Sequence, residues 1–206
     1  MKRQLFALAA TLLAASVAHA APVTEARSPG TFHAVDLKGA LDVDVQVGAT
    51  QKVEVSADSD IIGKISTTVV KGKLEIRTPD NMHNQKVHVT IVAPKIDALN
   101  LSGAGHLRAN GLSASNLALS ISGAGDMEVT GAADTVAVEM SGAGSIRGKD
   151  LTSKSVTIDV SGTGNATVTA TEALTASLSG VGSVDVYGHP KSVTKAVNGV
   201  GHIRLR

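Results

Sequence analysis

Six copies of one tetrapeptide recur along the second half of the chain: Ser102-Gly103-Ala104-Gly105, Ser122-Gly123-Ala124-Gly125, Ser141-Gly142-Ala143-Gly144, Ser161-Gly162-Thr163-Gly164, Ser179-Gly180-Val181-Gly182 and Asn198-Gly199-Val200-Gly201. Successive copies begin 20, 19, 20, 18 and 19 residues apart. A helical hairpin repeat needs about 33 residues or more, so this period excludes the helical solenoids and matches one turn of a β-helix. The flanks alternate with the strand period of two. Leu101, Ile121, Met140, Val160, Leu178 and Val197 stand just before the tetrapeptides, and Leu107, Met127, Ile146, Ala166, Val184 and Ile203 stand two residues beyond the second glycine. Polar residues fill the intervening places, among them Glu139, Asp159, Arg108, Glu128 and Arg147. Each repeat therefore reads as strand, glycine corner, strand and a variable connection. Stacked at about 4.8 Å per turn, the strands form parallel ladders. The glycines are expected to allow positive φ at the corner, and the small residue between them to let equivalent corners stack.

Residues 32–95 alternate too, in Leu41, Val43, Val45 and Val47 and again in Val87, Val89 and Ile91, but without the repeat. Val35 to Leu41 reads as a degenerate rung with its second glycine lost. This part is expected to be the irregular start of the same solenoid, the alternative being a separate β-layer over the first rung, with Ala93-Pro94-Lys95 the one plausible seam. The organisation expected is a signal peptide over 1–20, a flexible mature N-terminus over 21–31, an irregular β part over 32–95 and the regular solenoid over 96–206.

Met1-Lys2-Arg3, the apolar run from Leu5 to Val17 and Ala18-His19-Ala20 have the form of a cleaved export signal, too short to span a bilayer. The mature chain is expected to begin near Ala21, in the periplasm or outside the cell. Without Lys2 and Arg3 it carries 17 basic and 18 acidic residues, a net charge of −1. That balance disfavours nucleic acid and anionic membrane as partners. No cysteine is present, which excludes disulfides, thiolate metal sites and a lipidated anchor. The mature aromatics are Phe32 and Tyr187 alone, so the core has to be aliphatic.

The repeated corners, Leu41 to Val47, and Gly72-Lys73-Leu74-Glu75-Ile76 together resemble the GIN-domain family, the head domains assigned to bacterial autotransporter adhesins. The resemblance covers residues 32–206. It implies a right-handed parallel β-helix of about six regular rungs of 18 to 20 residues, export, and an adhesin-like or scaffolding role at the cell envelope. It implies no catalytic residue. An autotransporter carries a membrane-spanning C-terminal translocator, whereas this sequence reaches Arg206 directly after the sixth corner, so surface display by that route is not expected.

No residue stands out as catalytic, cofactor-binding or metal-ligating. Five corner serines, Ser102, Ser122, Ser141, Ser161 and Ser179, argue for turn hydroxyls bonded to backbone groups, because a nucleophile is one activated residue beside a base. His106 and His202 share a place in their rungs but lie five rungs apart, about 24 Å at strand spacing. His83 and His88 fall on opposite faces of a regular strand. Asp126 matches the aspartate of a calcium nonapeptide, but the other rungs put His106, Ser145, Asn165, Ser183 and His202 there. The expected function is non-catalytic contact with an envelope or extracellular protein or glycan, without cofactor or stable membrane anchor and with homo-oligomerisation open. The alternative is a β-helical polysaccharide enzyme or a carbohydrate-binding module. Lys195 takes the inward place of Leu99, Leu119, Val138, Ile158 and Ala176, so the last rung reads as a polar cap against end-to-end association.

Overall fold

A computed structural model describes residues 22–80 and 86–206; the signal-like segment and His83 lie outside them. The strands are β1 (Pro22–Arg27), β2 (Ala34–Lys38), β3 (Ala40–Val47), β4 (Lys52–Asp58), β5 (Ser66–Val70), β6 (Lys73–Arg77), β7 (His88–Ala93) and β8 (Ala98–Leu101). They continue as β9 (Ala104–Ile121), β10 (Ala124–Met140), β11 (Ala143–Val160), β12 (Thr163–Leu178), β13 (Val181–Tyr187), β14 (Ser192–Val197) and β15 (Val200–Leu205). All belong to one hydrogen-bonded sheet that winds as a β-solenoid. From β8 onward each rung pairs in parallel with the next.

The corners stack in register. The carbonyls of Gly103, Gly123, Gly142, Gly162 and Gly180 accept the amides of Ala124, Ala143, Thr163, Val181 and Val200, at 2.9 to 3.0 Å. This closeness, more than dihedral freedom, requires the first glycine of each corner. A Cβ on Gly142 would lie 1.9 Å from the carbonyl oxygen of Gly123. In the six repeated corners the expected positive φ falls on the second glycine alone, for example +129° at Gly105, and Gly125 does without it.

Cross-section follows from where the alternation breaks. Along β9 the buried residues are Leu107, Ala109, Leu112, Leu117, Leu119 and Ile121, with adjacent exposed pairs at 110–111 and 115–116. Each turn is thus three short straight runs joined by the glycine corner and two looser bends. Variation in rung length is confined to those bends: register shifts fall between Val129 and Gly131, between Gly148 and Thr152, and between Ser153 and Ser155. The corner and its two flanking sheets stay strictly in phase.

Val35 to Leu41 takes the place of a corner rung, with Leu37 opposite Leu101, Ala40 opposite Ala104 and Leu41 in the position of Gly105. The spatial order, however, departs from the chain order. β6 and β7 stack in parallel on the other side of β2 and β3, so the first rung in sequence lies second in space. Beyond them β5 pairs antiparallel with β6, β4 antiparallel with β7, and β1 antiparallel with β4. Phe32, Ile61, Ile62 and Ile65 are buried in this sealed end.

The opposite end is open. All of β14 is exposed, including Lys195, which pairs in register with Ala176 and whose side chain has no hydrogen bond or ion pair among the described residues. An unpaired ammonium is costly away from water, so it also opposes any contact that would bury this end. Lys195→Leu is expected to stay folded but to associate with rising concentration in size-exclusion chromatography. Constant elution over a wide concentration range would remove the capping role.

Candidate interaction surface

On the sheet after the corner, the outward positions form two columns running the length of the stack. The first is His88, Asp42, His106, Asp126, Ser145, Asn165, Ser183 and His202; the second is Thr90, Asp44, Arg108, Glu128, Arg147, Thr167, Asp185 and Arg204. Parallel in-register stacking sets equivalent side chains of adjacent rungs side by side, where like charges repel. Here the charges largely alternate. His88 Nε2 lies 3.4 Å from Asp44 Oδ2, His106 Nδ1 3.6 Å from Asp126 Oδ2, Arg108 Nε 3.7 Å from Glu128 Oε2, and Arg206 Nε 3.0 Å from Asp185 Oδ1. The His106 amide donates to Asp42 Oδ1 at 3.2 Å, and the Ser183 hydroxyl to Asn165 Oδ1 at 2.6 Å.

Asp126 is the most engaged member. It accepts the Ser145 hydroxyl and pairs with Arg147 at 3.4 Å. The Ser145 hydrogen bond, with help from the charges of Arg147 and His106, outweighs partial desolvation and holds its carboxyl below the usual carboxylate range. A depressed carboxyl contributes stability that is full above the unfolded value of about 4 and is lost as pH falls through the folded value. Ser145→Ala removes the leading cause. The gap in urea midpoint between the two proteins should therefore be widest at neutral pH and narrow in acid below about pH 4. A gap independent of pH would refute this account of Asp126.

The remaining sequence candidates separate rather than converge. The hydroxyls of Ser102 and Ser161 donate to the carbonyls of Leu37 and Met140, at 3.1 and 3.5 Å, the same carbonyls that their own amides use. His106 and His202 stand five rungs apart in one column. Among the described residues no three His, Asp or Glu side chains are placed to hold an ion. Asp42, Asp44, His88, His106 and Arg108 border one hollow of about 180 Å³, a cluster that the sequence does not display, because those rungs are adjacent in space only through the out-of-order start.

On the sheet before the corner, Glu139 and Asp159 are neighbours in one outward column. They share a hollow of about 190 Å³ with Ser120, Met140, Ser141 and Ser161. A ligand pocket usually offers about 300 Å³ or more. A larger groove, about 490 Å³, runs along the short third side over Ser113, Ser115, Thr152, Ser153 and Thr171, with Asp134 and Lys154 paired across it at 2.7 Å. Neither contains an aromatic platform: Phe32 is buried, and Lys149 Nζ lies over the Tyr187 ring, 4.8 Å from its centroid.

The family model described as "Putative auto-transporter adhesin, head GIN domain" matches residues 31–190. The chain belongs to the GIN-domain family. No curated protein matches it. Among solved structures, this GIN domain is similar to one described as a putative adhesin from Bacteroides fragilis, with a TM-score of 0.73 and 21% identity over 90% of this chain and 97% of that one. It is also similar to a protein from Parabacteroides distasonis described as a putative lipid binding protein, with a TM-score of 0.53 and 19% identity over 90% and 96% of the two chains. A further protein of that organism, described as a putative adhesin, gives a TM-score of 0.52 and 19% identity over 91% and 98%. At these identities the likeness is one of fold.

Proposed function

We propose that this GIN domain is an exported, non-catalytic contact module of the cell envelope, released by cleavage near Ala20 and Ala21. One observation carries the reading: most charges of its longest continuous face are paired laterally between rungs, from His88 and Asp44 to Asp185 and Arg206, and where Asp42, Asp44, His88, His106 and Arg108 do border one hollow it holds only about 180 Å³. Catalysis on a polysaccharide needs an acid and a base or nucleophile facing one bond in a site that excludes water. The adjacent carboxylates Glu139 and Asp159 supply two such groups, but on an open strand face in a shallow hollow. A rigid ladder of paired charges and hydroxyls suits contact with a polar polymer or protein surface. The family's adhesin label supports the same reading.

Labelled mature protein titrated onto envelope fractions tests it. Saturable binding that weakens with salt is expected, since exposed ion pairs and polar contacts are screened. Binding that never rises above an unrelated exported protein would leave a purely structural role and overturn the contact reading.

A further inference from the structure

The two ends of the stack are built differently. At the N-terminal end three strands lie beyond β3 on one side and two beyond β2 on the other, so that end is stepped. At the other, β14 and β15 finish their sides at the same level, six strands beyond β2 and β3. Each has a neighbour on one edge only, which leaves a row of backbone donors and acceptors facing away from the stack. Apart from Ile203, which is 9% exposed, the inward aliphatic side chains of this last rung lack cover: Val193, Val197 and Leu205 are 37, 44 and 48% exposed, whereas Leu174, Leu178 and Val186 directly beneath them are 2, 0 and 1% exposed.

Only another strand, aliphatic at alternate positions, reproduces the cover that every other rung has. A second copy of this chain fits poorly. Tail to tail, Lys195 and Arg204 would meet their own kind, and head to tail, a flush end cannot seat on both levels of the stepped one. The unpaired, inward-placed Lys195 instead specifies a complement. We propose that the C-terminal rung docks an extended acidic strand of a partner, adding to the β14 edge with aliphatic residues over Val193 and Val197 and one carboxylate facing Lys195. This deepens the contact reading above by naming a partner class, and rests on it. The same ammonium that discourages self-stacking then selects the partner, since pairing it with a carboxylate removes the cost of covering it.

The test uses two synthetic peptides with alternate valines that differ only in a central glutamate or lysine, titrated by fluorescence anisotropy into the mature protein. The glutamate peptide should bind at least tenfold more tightly, and Lys195→Glu, a change at an exposed position, should reverse the preference while leaving the circular dichroism spectrum unchanged. Binding should also slow amide exchange across residues 192–205. Absence of binding by either peptide, or a preference that survives Lys195→Glu, overturns the docking site. Envelope binding measured on the same preparations separates the two proposals: if it persists while the peptides fail, the contact reading stands and this end is not the site.

Discussion

Gly142→Ala is expected to be among the most destabilising single changes in this chain. Its new Cβ would fall 1.9 Å from the carbonyl oxygen of Gly123 and 2.9 Å from that residue's nitrogen. Those atoms are backbone, already bonded to the amide of Ala143 on one side and fixed by the Gly103 corner on the other. No side chain can turn aside, so two rungs must separate at their tightest point and lose the hydrogen bonds on both flanks. A cost of about 4 kcal/mol puts the change in the exceptional range for one substitution. In a chain of this length that lowers the melting temperature by about 8 to 16 °C. Ala143→Thr is the matched control: it lies one residue along, it is exposed, and Thr163 already stands in register at that place in the next rung. Thermal denaturation followed by circular dichroism should find the control close to wild type and Gly142→Ala far below it. Comparable melting of the two variants would mean that the corner carbonyls do not stack.

Ile158→Lys tests the interior by the same logic. Ile158 is 1% exposed and lies between Val138 and Ala176 in the column that ends in Lys195. At the end of that column an ammonium reaches water. Two places in from it the same ammonium is enclosed by aliphatic side chains, and an uncompensated buried charge costs about 3 to 5 kcal/mol. Urea denaturation of Ile158→Lys should show a large fall in midpoint, while Lys195→Ile, which removes a lysine from the same column, should leave the midpoint of the monomer almost unchanged. Equal effects of the two would show that Ile158 does not face the core.

These two positions also show why so much of the fold was legible. Period-two alternation identifies which residues face inward, and a fixed corner supplies the phase, so Leu99, Leu119, Val138 and Ile158 align into one column from the sequence alone. Even Val35 to Leu41, with Leu41 where Gly105 stands in the next rung, kept enough of the pattern to be placed as a rung. Alternation does not say which strand is the neighbour. Val89 and Val43 look equally able to cover Leu107; the structure puts Val43 there and Val89 beyond it. The antiparallel pairing of β4 and β5 was hidden for the same reason, because a strand's facing pattern is the same in either direction, whereas β1 lies in the 21–31 stretch expected to be flexible, and its almost wholly exposed residues show no alternation to mark a strand. The glycine corners were recognised, but through dihedral freedom. Close approach between carbonyls is a property of two rungs together, and one rung's sequence does not display it.

That limit applies to the candidate surface as well. The sign changes of Arg108, Glu128 and Arg147 were visible as a pattern, whereas the pairing of His88 with Asp44 and of His106 with Asp42 needed the spatial order of the rungs. Read together, these pairs turn what looked like scattered surface charge into one laterally bonded face.

Contact without catalysis is the central claim, and release of reducing ends from envelope polysaccharide tests it most directly. Mature protein incubated with isolated envelope fractions should sediment with them in a saturable way while the reducing-end signal stays at that of a protein-free control. A signal that grows with time and with protein concentration, and that Glu139→Gln abolishes, would contradict the account and make Glu139 and Asp159 a catalytic pair.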